Sequence, residues 1–276
     1  MVELVKIGKQ CTIRKSFSIV GPTPYLKNHL TKVMVTPTRS GISFFVDDEE
    51  IKVIGSSTKS ADGIHATYLA NNKGQDVRLT EHLLSALTGM GVTAANIYLD
   101  GSNQVPVPDR TAQPFCQEIR RVGIKQTYKD LIAAKVKKDI YFTDGLGSSV
   151  LIKPSDTLKI SALIQFPNLF EDQYLKTELT PENYWNELMW ARPFIREDCP
   201  TNKDYQKAIR QLKAFPKKME DSPVMVRSKG VWVTGIKPLE PVRHKILDII
   251  GDLTTLGYPI LADLSFVKLV TLSYKT

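Results

Sequence analysis

Val242-Arg243-His244-Lys245-Ile246-Leu247-Asp248-Ile249-Ile250-Gly251-Asp252-Leu253 is the stretch from which the fold of this 276-residue chain is read. Ile246, Leu247, Ile250 and Leu253 recur at helical spacing, which predicts an amphipathic helix with one face in the core. His244, Asp248 and Asp252 stand four residues apart and so stack on one side of that helix. An imidazole and a carboxylate one turn apart can reach a single divalent ion, as the two histidines of an H-E-x-x-H helix do. An isolated H-x-x-x-D is ordinarily a solvent-facing polar stripe. A second, distant histidine shifts that balance: Thr80-Glu81-His82-Leu83-Leu84-Ser85-Ala86-Leu87 opens another apolar helix. Two histidines and one aspartate form a three-ligand set with a fourth position open, and the glutamate beside His82 is free to act as a base.

Arg78-Leu79-Thr80-Glu81-His82-Leu83-Leu84-Ser85-Ala86-Leu87-Thr88-Gly89-Met90-Gly91-Val92 resembles the first metal helix of the zinc-dependent UDP-3-O-acyl-N-acetylglucosamine deacetylases of lipid A synthesis. Val105-Pro106-Val107-Pro108-Asp109-Arg110-Thr111-Ala112-Gln113-Pro114-Phe115 looks like the loop and helix start that follow it, and Val242 to Leu253 is similar to that family's second metal helix. The resemblance is dense over Arg78–Gly123 and Pro241–Gly257 and thin elsewhere, with the segments in the family's order. It implies Zn²⁺ held by His82, His244 and Asp248, with Glu81 as base, Lys245 near the substrate and Asp252 behind the ligands.

Other segments depart from the family. The glycine-rich loop is replaced by Ser16-Phe17-Ser18-Ile19-Val20-Gly21-Pro22-Thr23-Pro24-Tyr25, without its histidine. Where active members carry Ala-Arg-Thr-Phe-Gly, with a threonine that stabilises the oxyanion, this chain has Ala191-Arg192-Pro193-Phe194-Ile195. Proline has neither a hydroxyl nor an N–H to donate. The family's closing Lys-Ser-Gly-His, whose histidine is the general acid, reads Lys268-Leu269-Val270-Thr271 here, and the family's terminal helix is missing after it; His29 and His65 are the spare histidines. Loss of an oxyanion donor costs roughly 10²–10³ in rate, and loss of acid–base help about 10²–10⁴ more.

Composition sets broader bounds. No apolar run reaches the length of a membrane span, and 42% hydrophobic residues suffice for one large or two modest cores. Three scattered cysteines, Cys11, Cys116 and Cys199, lack metal spacing and fit a reducing compartment, which the resemblance implies is the mitochondrial matrix or the bacterial cytoplasm. The basic N-terminus alternates at Val5-Lys6-Ile7 and Cys11-Thr12-Ile13 like a first strand, so no secretory signal is expected. A net charge of +8 favours acidic partners, RNA among them, although no nucleic-acid motif accompanies it. Basic residues gather between Arg120 and Lys138 and again between Lys203 and Lys218.

Strands are expected at Thr31–Thr36, Ile42–Val46, Ile64–Leu69, Ala95–Leu99, Ile140–Phe142, Ser149–Lys153, Leu158–Phe166, Val224–Val226, Val231–Val233 and Pro259–Lys268. Helices are expected at Pro114–Gly123, Thr180–Trp190 and Asp204–Leu212, and Lys125 to Asp139 reads as a connection. The expected class is α+β. The resemblance makes it a two-domain pseudo-symmetric sandwich, residues 1–125 and 126–276, with two strand layers outside and a helix layer between. Two functions follow. One is a degenerate deacetylase homologue that keeps its metal site and serves as a structural or binding subunit beside other protein subunits in a larger, possibly mitochondrial, assembly. The other is an active deacetylase of an acylated UDP-sugar, or a related amide hydrolase.

Overall fold

The computed structural model describes residues 1–23, 29–53, 57–59, 67–145, 147–166, 170–196, 224–228, 231–232 and 234–268. The first strand layer is a five-stranded sheet in the order β2 (Phe17–Pro22), β3 (Leu30–Thr36), β9 (Ala95–Asp100), β4 (Ile42–Val46) and β5 (Glu49–Lys52). Alternation puts Val33, Val35, Phe44, Val46 and Ile97 inside, and their neighbours in sequence face outward. A small sheet of β6 (Ser57–Lys59), β7 (Tyr68–Ala70) and β8 (Asp76–Arg78) leads to helix α1 (Glu81–Gly89). Helix α2 (Gln113–Val122) buries Phe115, Cys116, Ile119 and Val122 and packs on α1 and β2.

The second layer is a seven-stranded sheet. It runs β1 (Val2–Ile13), β10 (Ile124–Val136), β18 (Ile260–Val267), β12 (Ser149–Pro154) and β11 (Ile140–Thr143). β13 (Leu158–Phe166) lies parallel to β18, and β14 (Phe170–Glu178) pairs with β13. Helix α3 (Pro181–Asn183) passes into one π-helical segment, Tyr184–Leu188. β15 (Phe194–Arg196), β16 (Met225–Ser228) and β17 (Val231–Trp232) form a three-stranded flap. Helix α4 (Glu240–Thr254) rests on β13 and β14 and, on its other side, on α1. The α+β class is as expected, with helices between the sheets.

Glycines let the helices meet. A Cβ on Gly251 of α4 would collide with the Glu81 carbonyl oxygen at the start of α1, and one on Gly89 would enter the Tyr184 ring. Because α1 has neighbours all round, nearly its whole length is buried, which is why it is apolar on every side. At the far end of the α1–α4 contact the Thr88 and Thr254 hydroxyls lie 2.6 Å apart. Leucines in the left-handed region, Leu79 (φ 61°) and Leu239 (φ 55°), precede the two helices.

Some expectations need correction. The Lys125–Asp139 stretch is mostly strand β10, paired with β1 from Val2↔Val136 to Ile13↔Ile124, and not a connection. Its lysines misled because one side of this ribbon is solvated, so charge and β structure coexist there. The Ser16–Tyr25 stretch is strand β2 as far as Pro22. The helix expected over Thr180–Trp190 does begin at Thr180, whose hydroxyl accepts from the Asn183 N–H at 3.1 Å, but it is α-helical for only three residues. Strand β14 was not foreseen. The first part of the strand expected at Ile64–Leu69, the helix expected at Asp204–Leu212, Cys199, Val233 and Thr271 lie outside the described residues.

Gly251→Ala is expected to lower unfolding free energy by about 1–3 kcal/mol, because the obstacle is backbone and cannot swing away. Urea denaturation measures this, and an unchanged midpoint would show that the helices are not held in close contact.

Candidate metal centre

His82 stands in the first turn of α1, and His244 and Asp248 stand one turn apart on α4. Helix contact brings all three together, with one ligand atom from each within 4.8 Å of the others. Asp248 Oδ1 lies 3.6 Å from His82 Nε2 and 3.5 Å from His244 Nε2. Both separations are long for hydrogen bonds. Zinc–ligand bonds of about 2.0–2.1 Å put neighbouring corners of a tetrahedron about 3.3 Å apart, so the spacing suits a shared ion. The donor set, two imidazoles and a carboxylate, is one that Zn²⁺ accepts.

The surroundings prepare each ligand. His244 Nδ1 donates to the Ala191 carbonyl at 3.1 Å, which leaves Nε2 with its lone pair toward Asp248. Burial pushes the His244 pKa down to about 4 against the opposing pull of Asp248, so this ring is a neutral ligand at pH 7. Burial alone would raise Asp248, but His244, Lys245 and His82 outweigh it and hold the carboxylate ionised. Lys245 Nζ takes Asp248 Oδ2 at 3.3 Å, leaving Oδ1 for the shared position. Burial works against charge on His82, yet Asp248 and Glu81 outweigh it and raise its pKa. His82 Nδ1 is buried without a hydrogen-bond partner among the described residues.

Glu81 stands beside this trio. Burial pushes its carboxyl up to about 7, with His82 opposing and Asp248 adding to the rise. Its Oε2 accepts the Thr67 N–H at 3.0 Å. Asp252, one turn beyond Asp248, accepts the Thr67 hydroxyl at 2.5 Å on Oδ1. Pro193 follows the Ala191 carbonyl that holds His244, and its own carbonyl accepts from Met225 N–H at 2.9 Å. His29 is engaged elsewhere, with Nε2 2.9 Å from the Gly101 carbonyl, and His65 lies outside the described residues.

Sequence reasoning missed two supports. Glu240, 1% exposed, binds Arg192 through Nε at 2.8 Å and Nη2 at 3.0 Å, and also takes the Arg192 and Lys237 N–H groups. Burial alone would raise the Glu240 pKa, but Arg192 and these N–H groups more than offset it. Glu240 and His244 thus grip the same Ala191–Arg192 segment from successive turns of α4. The signal was present in Glu240-Pro241, an acid and a proline at a helix start. The other support is Thr67, which lies beyond any sequence motif.

The sequence signature of the LpxC family, UDP-3-O-acyl N-acetylglycosamine deacetylase, matches residues 10–269. The chain belongs to this family. It is similar to the UDP-3-O-acyl-N-acetylglucosamine deacetylase of Campylobacter fetus subsp. fetus, with 33% identity over 264 residues covering 92% of this chain and 85% of that one. The deacetylase of Thermodesulfovibrio yellowstonii is 30% identical over 257 residues, covering 91% and 84%. That of Campylobacter jejuni (strain ATCC 700819) is 30% identical over 260 residues, covering 92% and 85%. No helix among the described residues is long and apolar enough to cross a membrane. The first basic cluster is partly paired, with Arg121 on Glu118, Lys135 on Asp156 and Lys137 on Glu3, while the second lies outside the described residues. Cys116 is buried, and burial raises its thiol pKa well beyond the reactive range.

Zinc titration with a competing chelator is expected to give one ion per chain, and His244→Ala or Asp248→Ala to abolish it. Affinity will fall by about tenfold per pH unit below the raised His82 pKa, since the ion must displace that proton. A flat profile from pH 8 to 5 would exclude His82 as a ligand. Glu240→Ala is expected to cost about 1–3 kcal/mol in chemical denaturation, because the half-buried Arg192 loses its carboxylate partner and keeps the Gly235 carbonyl.

Proposed function

We propose that this chain is a zinc-dependent deacetylase of an acylated UDP-N-acetylglucosamine, with His82, His244 and Asp248 holding the ion. The convergence of these three side chains from two helices, with a buried carboxyl beside them, carries the reading. When bound, zinc polarises the amide carbonyl and a water molecule. Glu81 does the proton work. With Oε2 fixed by the Thr67 amide, Oε1 is free to take the proton of the attacking water. A carboxyl whose pKa is near 7 can keep that proton and then pass it to the leaving amine, so one group serves as base and then acid. This removes the strict need for a separate histidine. Water adds to the acyl carbon, the C–N bond breaks, and a carboxylate and a free sugar amine leave. Lys245, whose ammonium lies between Asp248 and the Phe194 ring, faces the site and is placed to meet the substrate's negative charge.

A second reading, a non-catalytic binding subunit, is favoured by two departures in sequence, Thr271 where the family has its general-acid histidine, and Pro193. This residue replaces the threonine of active members with one that has no donor for an oxyanion.

Turnover of a UDP-3-O-acyl-N-acetylglucosamine by zinc-loaded protein decides between them. Activity is expected at a reduced rate, abolished in His244→Ala and lowered about 10²–10⁴-fold in Glu81→Gln. Pro193→Thr is expected to raise kcat, by up to about 10²-fold. Wild-type protein without turnover, and no gain from Pro193→Thr, would leave the binding-subunit reading.

A further inference from the structure

One residue touches both carboxylates that flank the candidate metal centre without belonging to it. Thr67 sits just before β7, at the entrance to the small sheet, and gives its N–H to Glu81 Oε2 at 3.0 Å and its hydroxyl to Asp252 Oδ1 at 2.5 Å. Its carbonyl accepts from the Thr80 N–H and the Thr80 hydroxyl, both at 3.2 Å, at the start of α1. All three polar groups of Thr67 are therefore spent on the helices that carry the candidate ligands. The hydroxyl reaches α4, while the amide and carbonyl reach α1. This is the arrangement of a strut.

From this geometry we infer that Thr67 is a positioning residue for the reaction: its hydroxyl, anchored on Asp252, holds the backbone amide that orients the Glu81 carboxylate. The inference rests on the deacetylase reading for its kinetic consequence and on the two hydrogen bonds for its structural one. Among the described residues the Asp252 carboxylate is bonded to Thr67 and to no histidine. A carboxylate with one oxygen fixed has one remaining face for a proton, and fixing Oε2 selects which oxygen meets the water. Loss of the hydroxyl leaves the amide in the chain but frees residue 67 to shift, so the loss should appear in turnover before it appears in binding.

The test compares Thr67→Val, which keeps the shape and removes the hydroxyl, with Thr67→Ser, which keeps the hydroxyl. In zinc-loaded protein, Thr67→Val is expected to lower kcat by about 10-fold, the smaller end of what groups behind metal ligands contribute. KM and zinc stoichiometry should stay at wild-type values, and Thr67→Ser should restore kcat to within about threefold. A Thr67→Val enzyme with wild-type kcat, or a Thr67→Ser enzyme as slow as Thr67→Val, overturns the inference. A second measurement does not depend on turnover: urea unfolding of Thr67→Val, Asp252→Asn and the double variant. The two losses should fail to add, because either substitution breaks the same bond. Strictly additive losses overturn the link whatever the activity. An inactive wild type with non-additive losses would instead keep the link and reject the deacetylase reading.

Discussion

The site exists because two helices touch at backbone distance. Gly251 of α4 lies against the carbonyl oxygen of Glu81, leaving no room for even a methyl group. His82 projects from the turn that makes this contact, and His244 and Asp248 from the turns just before it on the partner helix. Move the helices apart by the width of one side chain and the three donors no longer share a centre. The rest of the interface maintains the approach through the threonine pair at the far end of α1 and through Tyr184, seated on the neighbouring Gly89 with its hydroxyl 2.8 Å from Ser85. The two sheets serve as backing for this central contact.

A second constraint couples the ligands to the wall of the site. The segment Ala191–Arg192 is held by Glu240 and by the His244 ring, and Pro193 continues directly from it. The orientation of the candidate ligand His244 and the position of Pro193 are therefore set together. The Pro193 carbonyl accepts from the Met225 N–H. What proline lacks is a donor. The absent donor is a chemical difference that a sequence shows without its consequence, which is why a degenerate frame and a slow enzyme look alike in sequence.

The legible part of the molecule was what periodicity carries. His244 and Asp248 could be paired because helical spacing fixes them on one face, and His82 because its apolar helix has a plain start. The strands of both sheets followed from alternation, apart from β2, β5, β10 and β14. β10 was obscured by lysines on its solvated side, and β14, Phe170-Glu171-Asp172-Gln173-Tyr174-Leu175-Lys176, carries little apolar alternation. The pairings of Thr67 with Asp252 and of Arg192 with Glu240 were illegible for another reason: each is a contact across the fold. Local pattern records which face a residue occupies and nothing of what stands opposite.

Both helices are entered through a leucine whose backbone is left-handed, Leu79 at φ 61° and Leu239 at φ 55°. A side chain in that region costs on the order of 1–2 kcal/mol, and it is tolerated where surrounding packing over-determines the turn. Leu79 is buried and Leu239 packs against the core, so hydrophobic anchorage bends the chain at both doorways. Unlike small zinc-organised modules, which are unfolded without their metal, this scaffold takes its shape from apolar packing, so the candidate socket is built independently of any occupant.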